Sequence, residues 1–119
     1  MSSGNPIHGW LGRVVTVVVD RPAGMVRHGD GWTITYPINY GYVPDAMGGD
    51  GELQDAYIFG VAEPLTEFTG EVIAVCHRRD DVEDKLVVAP VGMRPSKERI
   101  QAAIAFMEQW FDSWLECLD

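Results

Sequence analysis

Basic residues are scarce in this chain: nine Lys and Arg stand against 18 Asp and Glu, a formal net charge of −9 over 119 residues. That balance argues against nucleic acid and against an anionic membrane surface as partners, because both select basic patches. Long apolar runs are missing too. None approaches the roughly 20 residues needed to span a bilayer, and the first residues lack the basic stretch followed by an apolar core that would mark a signal peptide. Cysteine is limited to Cys76 and Cys117, far apart and without a partner at zinc-ligand spacing. Free thiols in a reducing cytoplasm are therefore expected. There is no HExxH, no nucleophile–base signature and no Gly-rich strand-to-helix phosphate loop. His8, His28 and His77 form no metal-ligand pattern.

What is present fits one globular domain spanning 1–119, with 1–12 as a loose lead-in. Hydrophobic residues make up 46% of the chain, including four Trp, four Tyr and four Phe, enough bulk for a core. Residues 13–19 (RVVTVVV) read as a buried strand, ended by Asp20-Arg21-Pro22-Ala23-Gly24. The stretch 33–44 (TITYPINYGYVP) reads as edge or extended structure because Pro37 and Pro44 interrupt it. Further apolar runs at 56–62, 70–78 and 85–90 are each bounded by turn chemistry or charge. Strands at this spacing predict a mainly β (α+β) fold, a small barrel and not a βαβ sheet. From Ser96, a plausible N-cap, the period changes: Ile100, Ala103, Ile104, Met107, Trp110, Phe111 and Trp114 recur at three- and four-residue steps. That predicts a helix of about five turns packed on the barrel.

The charge is also uneven. Residues 45–84 hold 11 Asp and Glu against only Arg78 and Arg79. Asp50, Glu52 and Asp55 gather at a Gly-rich turn, and Asp55 directly precedes an apolar run, where an unpaired carboxylate is costly to bury. A second acidic run, Asp80, Asp81, Glu83 and Asp84, also leads into a strand. Acids beside glycines are what a solvated turn looks like. Two such clusters facing each other across a barrel mouth would instead suit a hard cation such as Mg²⁺ or Mn²⁺. Tyr36, Tyr40 and Tyr42 alternate around Asn39 and Gly41. They read either as core aromatics or as uncharged donors to an anion. Lys85, after four acids, reads as a solvated salt-bridge lysine or as a phosphate contact.

The phrase Tyr36-Pro37-Ile38-Asn39-Tyr40-Gly41-Tyr42-Val43-Pro44 followed by Asp50-Gly51-Glu52-Leu53-Gln54-Asp55 resembles the central motifs of soluble, Mg²⁺-dependent family I inorganic pyrophosphatases. Glu83-Asp84-Lys85-Leu86-Val87-Val88 is similar to that family's acidic loop and following strand. Asp20-Arg21-Pro22-Ala23-Gly24 is similar to its Glu-Ile-Pro-x-Gly turn. The likeness covers most of residues 13–112. It implies a twisted five-stranded, OB-like barrel with helix on its flank, a symmetric homo-oligomer and Mg²⁺ as cofactor, with Mn²⁺ as a possible substitute. The implied metal ligands are Asp20, Asp50, Glu52, Asp55, Glu83 and one of Asp80 and Asp81. Tyr40 and Lys85 are the implied phosphate contacts, so that Glu52, Asp55, Lys85 and Tyr40 would carry catalysis.

The chain departs from the family on the cationic side. The segment before Tyr36 is short, holding only Arg27 and His28, so the family's Arg-bearing hairpin is expected to be missing. The Tyr-Lys pair of the family's last helix is replaced by Trp110-Phe111. Arg27, Arg78 or Arg79 would have to supply part of the phosphate clamp. The resemblance therefore implies Mg²⁺-dependent hydrolysis of inorganic pyrophosphate. The alternatives are hydrolysis of another phosphoanhydride, or a non-catalytic module that binds Mg²⁺ and phosphate.

Overall fold

Alternation of β-branched residues with short turns builds most of this molecule. In a computed structural model, residues 9–47, 53–79 and 84–118 are described. The strands are β1 (Val14–Arg21), β2 (Val26–Gly29), β3 (Trp32–Thr35), β4 (Tyr40–Met47), β5 (Leu53–Ile58), β6 (Glu67–Arg78), β7 (Lys85–Ala89) and β8 (Ser113–Cys117). One helix, α1 (Lys97–Glu108), precedes β8. Five strands pair in the order β1-β4-β5-β7-β6, and pairing of β6 with β1 closes the ring. All contacts are antiparallel except β5–β7. The result is the expected closed five-stranded mixed barrel with a helix on its side.

The period-2 rule sorts side chains into two cores. Val15, Val17, Val43, Ala56, Ile58, Val72, Val75, Leu86 and Val88 fill one, the barrel interior. The other lies between the barrel wall and α1, where Tyr36, Tyr40, Tyr57, Phe59, Ile73, Val87 and Leu115 meet Ile100 and Ile104 of the helix. Trp10 and Leu11 pack against the interior core, and the Gly12 N–H donates to the Val72 carbonyl. Residues 9–12 are therefore part of the fold and not a loose lead-in; residues 1–8 lie outside the described residues.

The motif Asn39-Tyr40-Gly41 has a structural logic. Asn39 is fully buried. Its Oδ1 accepts from the backbone N–H of Ala23 at 2.9 Å and of Leu65 at 3.0 Å, and its Nδ2 donates to the Glu63 carbonyl at 2.9 Å. One side chain thus ties the turn after β1 to the loop before β6. Gly41 lies opposite Val19, and a Cβ built there would sit 1.9 Å from the Val18 carbonyl oxygen. Gly41→Ala should therefore force β1 and β4 apart, costing about 1–3 kcal/mol or more; a denaturant midpoint indistinguishable from the parent's would refute this.

The C-terminal segment departs from its sequence period. Ser96 caps α1 as expected, its Oγ accepting from the Arg99 N–H at 3.2 Å. The helix ends at Glu108, after three turns and not five. Trp110 and Phe111 fall in the following turn, and Trp114 lies on β8. The reason is an open edge: β1 pairs with β6 only over Glu67–Glu71, leaving the far half of β6 with unmet backbone groups. Residues 113–117 satisfy them, Ser113 to Cys117 pairing with Arg78 to Ala74. Leu115 points into the core while its neighbours are more exposed. A hairpin is also present where none was expected. β2 and β3 pair through the turn Asp30-Gly31, with Gly31 at φ 78°. It is short, and Arg27 lies on its first strand. No helix among the described residues is long and apolar enough to cross a membrane.

Candidate functional site

Three strands bring the resemblance's described site residues together. Tyr40 opens β4, Asp55 lies on β5 and Lys85 begins β7. The parallel register of β5 and β7, with Ala56 opposite Leu86, sets Asp55 beside Lys85. The Lys85 ammonium donates to Asp55 Oδ2 at 2.5 Å and to the Tyr40 hydroxyl at 2.9 Å. Lys85 is thus not a solvated surface lysine. Its side chain is 6% exposed against 27% for Asp55, so the cluster opens toward solvent on its acidic side. Burying an ammonium is affordable here because a carboxylate and a phenol oxygen meet it. By alternation Asp55 shares its face of β5 with Tyr57 and Phe59, both members of the core beneath α1. The site therefore belongs to the outer wall of the barrel and not to its interior.

Tyr36 and Tyr40 serve both readings at once. They are buried core aromatics, their ring centroids 6.0 Å apart, and both hydroxyls meet cations. Arg21 donates to the Tyr36 hydroxyl at 2.9 Å and lies 5.4 Å from the Tyr40 ring centroid. Sequence reasoning left Arg21 unassigned. Its signal was nevertheless present: Arg21 occupies the position of Ile in the Glu-Ile-Pro-x-Gly turn that the segment resembles. Asp20, its neighbour, is exposed where the β1–β4 register slips between Val19 and Arg21.

Arg78 is committed elsewhere. It is buried and makes a two-pronged pair with Glu108, Nε to Oε1 at 3.1 Å and Nη2 to Oε2 at 2.7 Å. The Phe111 ring lies 3.7 Å from its guanidinium carbon. Tyr57 donates to the same carboxylate at 2.5 Å. Burial alone would raise the Glu108 pKa, but the bonds from Arg78 and Tyr57 outweigh it and hold the carboxyl below its ordinary range. Burial, then the Glu108 charge, pushes the Tyr57 phenol up and the Cys76 thiol up to about 12. Arg79 is exposed and paired with Asp112 at 2.8 Å. Arg27 is half-buried on the β2–β3 hairpin, across from Ile34.

Another pairing frames the acidic loop. His77 is buried, with Nδ1 3.2 Å from Asp84 and Nε2 3.1 Å from Glu116. Its ring stacks on Trp114 at 4.3 Å, and Gln54 donates to the Asp84 carbonyl at 2.6 Å. The start of β7, and so Lys85, is thereby held from β5 through Gln54 and from β6 through His77, which Glu116 of β8 backs.

Of the acids expected to bind metal, Asp50, Glu52, Asp80, Asp81 and Glu83 lie outside the described residues. Among the described residues no group of three or more His, Cys, Asp or Glu could hold a metal ion. The chemistry of the expected donor set suits a hard divalent cation, all its atoms being carboxylate oxygens. Asp55 keeps part of its surface open to contribute.

No protein-family model and no curated protein matches the chain significantly. Solved structures do resemble it. An inorganic pyrophosphatase from Ehrlichia chaffeensis superposes with a TM-score of 0.66 at 12% identity, over 90% of this chain and 87% of that one. One from Coxiella burnetii gives 0.62 at 18% identity, over 98% and 88%. One from Neisseria gonorrhoeae gives 0.59 at 20% identity, over 83% and 74%. At these identities the likeness is one of fold.

Proposed function

We propose that this protein hydrolyses inorganic pyrophosphate to two phosphates in a Mg²⁺-dependent reaction. The observation that carries the reading is the Asp55–Lys85–Tyr40 cluster, a buried cation held ready by a carboxylate and a phenol on the wall of a pyrophosphatase-like barrel. In the reaction a water oxygen bonds to one phosphorus, the bridging P–O bond breaks, and the water protons are shared among the two phosphates and solvent. Lys85 and Tyr40 would donate to phosphate oxygens, and Asp55 would hold Lys85 in place between turnovers. Arg21, stacked on Tyr40 and bonded to Tyr36, would take over part of the cationic clamp; we assign it that role in place of Arg78, which is occupied by Glu108. Asp50, Glu52 and Asp55, with Glu83, one of Asp80 and Asp81, and Asp20, would hold Mg²⁺. When bound, the metal supplies countercharge and a more acidic water.

Phosphate release from pyrophosphate with and without Mg²⁺ tests this. The expected result is release that needs the metal and stops on chelation. Mg²⁺ or Mn²⁺ at a hundredfold over Kd should also stabilise the fold by about 2.7 kcal/mol. A melting-temperature titration against Na⁺ at matched ionic strength checks it; equal effects would mean screening and no site. The engagement of Arg78 with Glu108 favours a second reading, a non-catalytic module. Metal-dependent stabilisation without phosphate release from pyrophosphate or other phosphoanhydrides would select it.

A further inference from the structure

Between the β2–β3 hairpin and the end of α1 lies an apolar cavity of about 400 Å³, lined by Trp32, Thr33, Ile34, Met107, Trp110 and Phe111. That volume is in the range of small-molecule pockets. Inorganic pyrophosphate has no apolar surface to place there. Trp32 and Trp110 are 46% and 69% exposed, and with the apolar residues between them they form one contiguous exposed patch of the kind that marks an interaction site.

Three observations say what would cover it. First, the cavity lining continues along the chain into residues that pack at the cationic site. Ile34 is two residues along the chain from Tyr36, roughly 7 Å in an extended strand, and Tyr36 accepts from Arg21. Met107 follows Phe106, whose ring packs on Tyr36 at 5.3 Å. Second, the lining is aromatic and not merely aliphatic, offering flat faces to a flat ligand. Third, it carries positive charge at its border. Arg27 stands directly across from Ile34 in the β2–β3 ladder, and residues opposite one another in an antiparallel pair share a face. A cation flanking indole rings, next to a second cationic cluster, is complementary to an anion that bears a planar aromatic group.

We infer that this cavity is a subsite for the base of a nucleoside di- or triphosphate whose phosphates reach Arg21, Tyr40 and Lys85. The inference rests on the phosphoanhydride reading of that neighbouring site. It gives Trp110-Phe111, where the resembled family has Tyr-Lys, a positive role: a base-stacking surface in place of a phosphate clamp.

The test is binding of ADP, adenosine and pyrophosphate to the full chain in the presence of Mg²⁺, by calorimetry and by tryptophan fluorescence, with non-hydrolysable imidodiphosphate standing in for pyrophosphate and the methylene-bridged analogue for ADP wherever turnover consumes the ligand. ADP should quench the fluorescence and bind about tenfold more tightly than pyrophosphate, the size expected of one base stacked on an aromatic ring. Trp110→Ala, at a largely exposed position and so compatible with folding, should lower the ratio of ADP to pyrophosphate affinity about tenfold. Trp110→Phe should restore most of it. Equal affinities for ADP and pyrophosphate, unmoved by Trp110→Ala, would overturn the subsite. So would light scattering that shows an oligomer which Trp110→Ala dissociates without changing ADP binding, since a second copy would then cover the cavity. Pyrophosphate hydrolysis with no Trp110-dependent ADP binding removes the subsite alone. Trp110-dependent ADP binding without any hydrolysis supports the subsite and removes the catalytic reading.

Discussion

Asp55→Asn is expected to lower Mg²⁺-dependent pyrophosphate hydrolysis at least a hundredfold and to lower the melting temperature of the metal-free protein. The first effect follows from chemistry, since an amide oxygen is a weaker ligand than a carboxylate for a hard divalent cation. The second has the opposite sign to the one the sequence alone suggests. From sequence, Asp55 is one of three crowded acids, and neutralising it should relieve repulsion and stabilise the metal-free chain. The structure places its Oδ2 2.5 Å from an ammonium that is 6% exposed. Removing one partner of a buried pair costs about 3–5 kcal/mol. Partial exposure of Asp55 and the remaining Tyr40 bond bring that down to about 2–3 kcal/mol. Relief of like-charge repulsion between solvent-exposed side chains is in general worth less than about 1 kcal/mol, so the pair decides. Lys85→Met is the control. It removes the cation and leaves a carboxylate that water can reach. Stability should change little, while hydrolysis falls about 10- to 100-fold for one lost charge-assisted bond. If Asp55→Asn melts above the parent without metal, the ion pair does not hold in solution. If it also retains hydrolysis within a few-fold, Asp55 leaves the site.

How much of this was legible in the sequence depended on whether a residue's role is set by its neighbours in the chain or by its neighbours in space. The barrel was legible because each strand carries its own period, β-branched residues between turn residues. The pairing of Tyr40 with Lys85 was anticipated only through the resemblance, 45 residues apart in sequence. The fate of Arg78 was not, because nothing local to Gly70–Arg78 says that Glu108 will arrive over it. Trp114 was misplaced for a related reason. Its spacing from Phe111 and Trp110 continues a helical face, and the unfilled edge of β6 that draws it into a strand is a property of the assembled sheet. Arg21 was overlooked because a cation at a turn is ordinary, and only the neighbouring Tyr36 and Tyr40 rings give it a context. Asn39 held the reverse lesson. A polar residue inside a functional motif invites a catalytic reading, and its amide is entirely spent on backbone groups of two loops.

Glu108→Gln should destabilise the protein at neutral pH by about 3–5 kcal/mol, a large share of the roughly 5–15 kcal/mol available to a domain of this size. The substitution keeps shape but removes the charge and turns one of the two oxygens that accept from Arg78 and Tyr57 into an NH2 donor, so the guanidinium of Arg78, itself 5% exposed, loses the Glu108 carboxylate. The expected fall in melting temperature is roughly 10–20 °C. The pH dependence supplies an independent signature. The Glu108 carboxyl is held below its ordinary range in the folded protein, so between the folded and unfolded values the unfolded chain binds more protons, and stability rises with pH there. Its contribution is complete above the unfolded glutamate value of about 4.3 and is lost as pH falls through the depressed folded value. Parent and Glu108→Gln should therefore differ most at neutral pH and converge on acidification below about pH 4. Arg78→Met combined with Glu108→Gln removes both charges of the pair and should recover much of the loss, because replacing a whole buried ion pair is often close to neutral. The double variant should still hydrolyse pyrophosphate, since Arg21 and Lys85 carry the clamp proposed here. A neutral-pH loss under 1 kcal/mol for Glu108→Gln, or a difference that does not shrink in acid, would show that the pair is solvated. Arg78 would then be available to a phosphate after all, and the division of labour between Arg21 and Arg78 would have to be reversed.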